Sequence, residues 1–363
     1  MFVKNTWYVA AWSSEVQADR LFSRVLLDTP VLLWRDAQGQ VRALEDRCCH
    51  RGAPLSRGRL EGDKVRCLYH GLLFDPDGQC IEVPAQDRIP PNARVRSYPV
   101  VESQQWVWIW MGDPELADPA DIPDTYWLDD PAWRYREGYL HYNVNYLLVT
   151  DNLLDFSHLP YVHPNTVGGD EGFAKLRPTI ENIKDGLRIS RWHLSSPPAP
   201  FVRKVTDWTN PVDRWNIYDF LVPGILLMHS GSAPVGTGAP EGRFEQAVEF
   251  RSAQAVTPAT TSSCHYFFSQ AHNFCIDDPK VTEVIHQVLI DAFNEDHAMI
   301  HAQQNNLALD PSFEMVPVGL DAALNRFRWM IAKRIEREQT TSVPPARVRP
   351  ETAMLAAMAN PES

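Results

Sequence analysis

The sequence lacks any hydrophobic run long enough to cross a membrane. Its longest apolar stretch spans residues 220–228 and is interrupted by Pro223 and Gly224, whereas a membrane-spanning helix needs about 20 apolar residues. The early stretch NTWYVAAW is too short and too polar at its edges for a secretory signal. These absences predict a soluble globular protein of the cytoplasm, with no membrane partner.

Cysteine and clustered basic residues are also scarce. Six cysteines among 363 residues, with no secretory signal, favour a reducing compartment over a disulfide framework. The formal net charge is −12, and no basic run interleaves with aromatic residues, so we expect no nucleic-acid partner. The acidic balance suits a solvated surface or a redox protein that presents a charged patch to its partner.

A dinucleotide-binding loop is missing as well. The glycines of Gly236-x-Gly238-x-x-x-Gly242 have the wrong spacing, enclose Pro240 and do not join a strand to a helix. We therefore predict that electrons reach this protein from another protein, because it has no visible nicotinamide or flavin site of its own.

The chain is long enough for two domains, and its patterning divides it in two. Short apolar runs separated by turn residues, such as RVLLDTPVLLWRD, predict a small all-β domain over residues 1–115. The segment DPELADPADIP carries turn signals without periodicity and indicates a linker. Residues 116–338 mix helices with the strands GLRISRWHL, FEQAVEFRS and SSCHYFFSQ, which predicts an α+β domain with an antiparallel sheet. Residues 339–363 are proline-rich and aperiodic, and are predicted to be disordered.

Two short motifs in the first domain carry the most specific signal. Cys48-x-His50 and Cys67-x-x-His70 supply two thiols and two imidazoles, the ligand set of a Rieske [2Fe–2S] centre. A structural zinc site uses the same ligand types, but it more often shows paired Cys-x2–4-Cys knuckles or a helical His pair, and neither occurs here. The motifs therefore favour the iron–sulfur cluster.

The other four cysteines have no motif partners. Cys49 adjoins a predicted ligand, and we expect its side chain to point away from the cluster and to pack against the protein. Cys80, Cys264 and Cys275 are expected to be buried as small apolar residues.

The segment DNLLDFSHLPYVH suggests a second metal site. Asn152, Asp155 and His158 recur every three residues and would share one polar face of a helix. His158 and His163 would diverge by about 140° on a continuous helix, but Pro160 is expected to end the helix near His158 and to let His163 fold back. From spacing alone, a pair of structural core histidines is an equally good interpretation.

A long helix is predicted to begin at Asp278, an N-cap residue that is followed by Pro279 at the first helical position. Its apolar residues fall on one stripe. That stripe comprises Val281, Val284, Ile285, Val288, Leu289, Ala292, Phe293, Met299 and Ile300. His297 and His301 are expected to point outward into solvent.

This helix offers a third metal ligand. A non-haem Fe(II) oxygenase site needs two histidines and one carboxylate. Asp296 falls within about 30° of the centre of the apolar stripe, whereas Glu295 lies about 70° from it. A carboxylate that faces the core needs a partner, either a metal or an arginine. Asp296 is therefore the predicted third ligand.

With both motifs in view, the chain resembles the Rieske-type terminal oxygenases of the vanillate O-demethylase, dicamba O-demethylase and toluenesulfonate methyl-monooxygenase group. The resemblance runs from NTWYVAAW through EDHAMIHAQQ, and the triplet Tyr69-His70-Gly71 matches the end of the family's Rieske signature. Cys49 stands where this family usually has proline.

The resemblance implies a helix-grip catalytic domain and assigns roles to several residues. His158, His163 and Asp296 match the family's ligands to mononuclear Fe(II). Asp155 matches its bridging aspartate, which we expect to orient His158 through its carboxylate, and Asn152 matches the neighbouring asparagine. Members are similar in forming head-to-tail homotrimers, in which a Rieske histidine of one subunit meets the bridging aspartate of the next.

The implied activity is monooxygenation of a methoxy or methyl group on an aromatic acid. It needs one [2Fe–2S] cluster and one mononuclear Fe(II) per subunit, O₂, and electrons from an NAD(P)H-dependent reductase of the flavin or ferredoxin type. The loop GSAPVGTGAPEG favours the methyl-oxidising toluenesulfonate type. The alternatives are a ring-hydroxylating dioxygenase and an electron-transfer protein without catalytic iron.

The cationic residues of the second domain do not identify a substrate-binding group. Arg191, Arg251, His265 and Arg326 each have the chemistry to pair with a substrate carboxylate or sulfonate. We interpret all four as ordinary strand or surface residues.

Overall fold

The computed structural model describes residues 1–168 and 171–341. Across these two ranges, every helix is too short or too polar to cross a membrane. The chain folds into an N-terminal part made of strands and a C-terminal part made of one large antiparallel sheet and helices. This is the predicted fold class.

The N-terminal part contains short antiparallel strands. They are β1 (Trp7–Trp12), β2 (Phe22–Leu26), β3 (Thr29–Arg35), β4 (Val41–Glu45), β5 (Arg59–Glu61), β6 (Lys64–Arg66), β7 (Leu73–Phe74), β8 (Cys80–Glu82), β9 (Val100–Ser103) and β10 (Trp106–Trp110). Strands β1-β10-β9, β2-β3-β4 and β5-β6-β7-β8 form three sheets in these orders. The predicted cluster motifs lie before β5 and between β6 and β7.

Strand β1 joins the two parts because both of its faces are buried. Tyr8 belongs to the N-terminal core, whereas Val9 and Trp12 pack in a cluster that includes residues of the C-terminal sheet. The Thr257 hydroxyl donates to the Val9 carbonyl at 2.7 Å, and the Trp12 indole donates to the Gly138 carbonyl at 3.0 Å. Burial on both faces explains why this strand is continuously apolar instead of alternating.

Two Asp-Pro pairs organise the predicted linker. Asp113 and Asp118 each cap a short 3₁₀ turn by accepting a hydrogen bond from the backbone N–H two residues ahead, and a proline follows each aspartate. These turns carry the chain from β10 toward the C-terminal sheet.

The C-terminal sheet has seven antiparallel strands. They are β11 (Gly138–Tyr142), β12 (Thr179–Ile183), β13 (Gly186–Ser196), β14 (Val212–Leu221), β15 (Ile225–Pro234), β16 (Val248–Thr260) and β17 (Ser263–His272). Their order in the sheet is β11-β17-β16-β15-β14-β13-β12. The three predicted strands correspond to β13, β16 and β17, although the segment 244–252 begins four residues before β16 does.

The helices of this part are α1 (Tyr146–Leu154), α2 (Leu159–Val162), α3 (Val202–Val205), α4 (Pro279–Leu309) and α5 (Ala322–Thr341). Residues of α1, α4 and α5 share one hydrophobic core with the sheet. The prediction that the chain is disordered from residue 339 is wrong for its first three residues, because α5 continues through 339–341. Glu338 near its end accepts hydrogen bonds from the N–H groups of Lys4 and Asn5. The rest of the predicted tail lies outside the described residues.

Helix α4 begins as predicted, because the Asp278 carboxylate accepts a hydrogen bond from the Lys280 N–H at 3.0 Å. Most residues of the apolar stripe are buried, but Val284 and Met299 are exposed. The face of α4 that packs against the protein is therefore narrower than the predicted stripe. His297 and His301 are both partly buried, contrary to prediction. The ring of His297 packs against that of Tyr142, and the His301 ring lies 5.7 Å from that of His297.

Candidate metal centres

Two loops of the same construction carry the first set of predicted ligands. In each loop, the N–H of a glycine donates to the carbonyl of the cysteine four residues earlier, Gly52 to Cys48 and Gly71 to Cys67, both at 2.9 Å. Both glycines have positive φ, +70° and +79°, which side-chain-bearing residues rarely adopt. Gly52 and Gly71 therefore close the two loops.

These loops bring the four predicted ligands to one end of the N-terminal part. Cys48 and Cys67 are buried, whereas His50 and His70 are exposed with ring centroids 4.4 Å apart. Burial raises the pKa of Cys48 to about 12, so a thiolate at this position requires a compensating cation such as iron. Two buried thiols beside two accessible imidazoles fit the donor set of a Rieske cluster.

The remaining cysteines divide by exposure. Cys80 and Cys264 are buried as predicted. Cys49 and Cys275 are exposed, contrary to prediction. Cys49 lies at the tip of a ligand loop, and Cys275 occupies a turn before α4 with φ of +48°, so neither position faces a core.

The second predicted segment breaks at a different residue from the one expected. Helix α1 ends at Leu154, and Asp155 is extended, with φ −124° and ψ 99°. The Asp155 carboxylate caps the following 3₁₀ turn by accepting from the Ser157 N–H at 2.9 Å. Pro160 lies in the first turn of α2, where its missing N–H costs no hydrogen bond. The prediction that Pro160 ends the helix is therefore wrong.

This break turns two imidazoles toward one carboxylate of α4. His158 Nε2 lies 3.4 Å from Asp296 Oδ1, and His163 Nε2 lies 3.1 Å from the same oxygen. The potential ligand atoms of the three residues all lie within 4.8 Å of one another. Two imidazole nitrogens and a carboxylate oxygen that converge in this way fit a non-haem Fe(II) site.

Each imidazole is fixed by a hydrogen bond at its other nitrogen. His158 Nδ1 lies 2.5 Å from the Asp155 carbonyl oxygen, and His163 Nδ1 lies 2.7 Å from Glu295 Oε2. Thr166 also donates to Glu295, at 2.9 Å. A proton on each Nδ1 leaves the Nε2 lone pair directed at the common centre. The role of Glu295 was missed from the sequence, because it requires the approach of α2 to α4.

The carboxylate of Asp155 does not orient His158 within the subunit, contrary to expectation. Its two oxygens accept from the N–H and the hydroxyl of Ser157, at 2.9 and 2.7 Å. The backbone carbonyl of Asp155 makes the contact to the imidazole instead, because the extended conformation of this residue directs the carbonyl there.

Asp296 is buried, and its carboxylate has polar partners. Asn152 Nδ2 donates to its Oδ1 at 2.9 Å. Burial alone would raise the pKa of Asp296, but Nε2–H groups of His158 and His163 would outweigh it by donating to the carboxylate, and they lower the pKa to about 2. A bound cation would take the place of those Nε2 protons and leave the Nδ1 protons where they are. Within residues 1–168 and 171–341, no lysine or arginine forms an ion pair with this carboxylate. The negative charge is thus held in place for a cation.

A cavity opens onto these three side chains. The centres of water-sized molecules can occupy about 70 Å³ of it. Its walls are mainly apolar and include Phe156, Leu159, Phe201, Met228, Leu289 and Phe293. The polar groups that line it include Arg214, Asn216, Ser230, Gln254 and Gln270. None of these lining residues was predicted from the sequence.

The two parts of the chain match two known families. Residues 6–99 match the Rieske [2Fe-2S] domain, and residues 142–337 match the vanillate O-demethylase oxygenase C-terminal domain. The chain is 51% identical over 348 residues to the iron–sulfur subunit of the toluene-4-sulfonate monooxygenase system of Comamonas testosteroni, covering 95% of this chain and 100% of that one.

Solved structures agree with these matches. A crystal structure of dicamba monooxygenase bound to dicamba superposes with a TM-score of 0.86 at 36% identity, covering 93% of this chain and 99% of that one. A structure of the same enzyme with non-haem iron and dicamba gives a TM-score of 0.78 at 34% identity, with 94% and 99% covered. These similarities confirm the predicted fold class and the resemblance.

Replacing Asp296 by alanine should remove the mononuclear iron and leave the visible spectrum of the cluster intact, because two imidazoles alone hold Fe(II) weakly. Glu295→Ala should weaken iron binding by about 10–100-fold without abolishing it, since it removes only the partner of His163 Nδ1. The measurement is iron per chain after dialysis against a chelator. Asp291→Ala, at an exposed position of the same helix, is the control. Full iron retention in Asp296→Ala would contradict the assignment.

Proposed function

The chain belongs to the Rieske-type terminal oxygenases that have a vanillate O-demethylase-type C-terminal domain, and we propose that it hydroxylates the methyl group of an aryl sulfonate or aryl carboxylate. As an oxygenase component of this family, it carries a Rieske cluster and a mononuclear non-haem iron. We assign the cluster to Cys48, His50, Cys67 and His70. We assign the mononuclear iron to His158, His163 and Asp296.

The observation that carries this proposal is the position of the His158, His163 and Asp296 side chains. They line one cavity, and the other residues that line it are mostly apolar. An aromatic ring fits such walls, and a methyl group that points toward the metal ligands would be the part of the substrate closest to the metal.

The reaction balances as a monooxygenation. An aryl-CH₃ group, O₂, two electrons and two protons give aryl-CH₂OH and water. The bound iron supplies activation of O₂, and the cluster supplies electrons one at a time. The protein contributes the fixed tautomers of His158 and His163, the hydrogen bond from Asn152 to Asp296, and apolar walls that exclude water.

A second candidate is O-demethylation, which the structural similarity to dicamba monooxygenase favours. Attack on a methoxy carbon gives a hemiacetal, which loses formaldehyde and leaves a phenol. The metal-binding residues would be the same for both substrates, so the cavity lining decides between them.

We propose that the working enzyme is a head-to-tail homotrimer in the cytoplasm, supplied by an NAD(P)H-dependent reductase of the flavin or ferredoxin type. The exposed tip around His50 and His70 also presents Leu68 and Tyr69, which are 57% and 61% exposed. Large apolar side chains beside a redox centre suit a protein contact. Such a contact would bring the cluster of one subunit to the half-buried Asp155 of the next.

Purified enzyme with a reductase and ¹⁸O₂ should convert 4-toluenesulfonate to the benzylic alcohol, with one ¹⁸O atom in the product. Mass spectrometry reads the incorporation, and release of formaldehyde from methoxybenzoates tests the second candidate. Two ¹⁸O atoms in a ring cis-diol would show a dioxygenase instead. A reduced cluster with no oxygenated product from either panel would contradict the proposed function.

Mixed trimers test whether electrons cross between subunits. Cys67→Ser subunits lack the cluster, Asp296→Ala subunits lack the mononuclear iron, and each variant alone should be inactive. Every ring that contains both types has one junction where an intact cluster faces an intact iron. Random 1:1 assembly makes about three-quarters of the trimers mixed, so activity should recover to about a quarter of wild type. No recovery in verified mixed trimers would contradict the intersubunit path.

A further inference from the structure

A buried arginine lies near the cavity without an anionic partner. Arg191, on β13, is 5% exposed, and its side chain makes no hydrogen bond or ion pair in the part of the chain that the structure describes; its Nε is fully enclosed. The guanidinium carbon lies 5.1 Å from the centre of the Phe173 ring. Burial lowers the pKa of Arg191. A buried cation without a counter-ion destabilises a fold, so this position requires an explanation.

The carboxylate that influences Arg191 electrostatically is Asp155. That carboxylate is already occupied, since both of its oxygens accept hydrogen bonds from Ser157. Asp155 therefore attracts the Arg191 guanidinium electrostatically but does not form a hydrogen-bonded ion pair with it.

Arg191, Asn216 and Ser230 lie side by side on three neighbouring strands. Strand pairing places Arg191 opposite Asn216 on β14, and Asn216 opposite Ser230 on β15. Directly opposed residues project from the same face of a sheet, with Cβ atoms about 4.5–5.5 Å apart. Asn216 and Ser230 both line the cavity, so Arg191 lies one strand away from the polar part of its lining.

The two lining residues have unused hydrogen-bonding capacity. Asn216 is 6% exposed; its Oδ1 has no partner among the described residues, and its Nδ2 contacts only the Met228 sulfur, at 3.7 Å. A thioether is a weak acceptor. The Ser230 hydroxyl, in a residue that is also 6% exposed, makes no hydrogen bond to the described protein. Both side chains are therefore available to donate to a ligand in the cavity.

We propose that Asn216 and Ser230 bind the anionic head of the aromatic substrate, a sulfonate or carboxylate, and that Arg191 is a positioning residue whose charge compensates that anion from behind Asn216. The inference rests on the proposed function, which supplies the aromatic acid. Sulfonate and carboxylate oxygens accept hydrogen bonds from amide and hydroxyl donors, and a cation acts strongly over a few ångströms in a site that excludes water.

Two other arginines of the same sheet fit this role less well. Arg214 lines the cavity, but its guanidinium donates to the carbonyls of Gly168 and Val167, at 2.8 and 2.9 Å. Arg251 also has an enclosed Nε without a partner, but it alternates along β16 with Gln254 and Ser252 and so projects from the opposite face. The interpretation of Arg191 as an ordinary strand residue is therefore revised.

The test compares 4-toluenesulfonate with 4-toluenesulfonamide, which has nearly the same shape and no charge. Calorimetry on the holoenzyme gives the dissociation constant of each ligand without turnover. Wild type should prefer the sulfonate. Arg191→Met should raise the dissociation constant of the sulfonate by about tenfold or more and change that of the sulfonamide by less than about threefold. Its melting temperature should not fall, because the variant removes an unpaired buried charge.

Arg251→Met is the matched control, since it removes a partly buried arginine from the other face of the sheet and should keep the ligand preference. Asn216→Leu provides a second route if Arg191→Met does not fold, and should also weaken sulfonate binding by about tenfold. Unchanged sulfonate binding in Asn216→Leu, or an unchanged preference in Arg191→Met, overturns the subsite. Wild type that binds neither the sulfonate nor 4-methylbenzoate overturns it too, whereas wild type that binds but does not hydroxylate overturns only the proposed function.

Discussion

The catalytic domain is organised around one buried negative charge. Asp296 is 4% exposed, and its carboxylate is approached by two imidazoles and one amide, with no arginine or lysine paired to it in the described chain. A buried carboxylate of this kind is stable only beside compensating groups. The break at Asp155, which brings His158 and His163 toward α4, is the local feature that satisfies this requirement.

The two metal centres differ in their access to solvent, and this difference fits their roles. The thiols of Cys48 and Cys67 are buried while His50 and His70 are exposed, so in the proposed assignment the imidazoles would be the cluster ligands open to an electron-transfer partner. His158, His163 and Asp296, the proposed iron ligands, instead line a mainly apolar cavity, which suits chemistry that must exclude water. Strand β1, buried on both faces, fixes the cluster domain to the catalytic domain.

The sequence predicts those features that depend on local spacing. The cluster motifs, the N-cap at Asp278 and the inward position of Asp296 all follow from residues close together in the chain. The sequence did not predict the break at Asp155, because Pro160 is compatible with two positions. A proline is tolerated just after a helix ends and also in the first turn of a new helix, and the structure has the second. The contact of Glu295 with His163 and the roles proposed for Asn216 and Arg191 were not predicted, because they depend on how distant elements pack and on which strands pair.

The most direct test of this account is the iron inventory of a single chain, read by Mössbauer spectroscopy of ⁵⁷Fe-enriched protein. We expect about three irons per chain, with about two-thirds of the signal from the Rieske cluster and about one-third from high-spin Fe(II). The signal of the Fe(II) should change when 4-toluenesulfonate is added, and the signal of the cluster should not. A spectrum that contains cluster iron alone, in protein with a full cluster, would contradict the account.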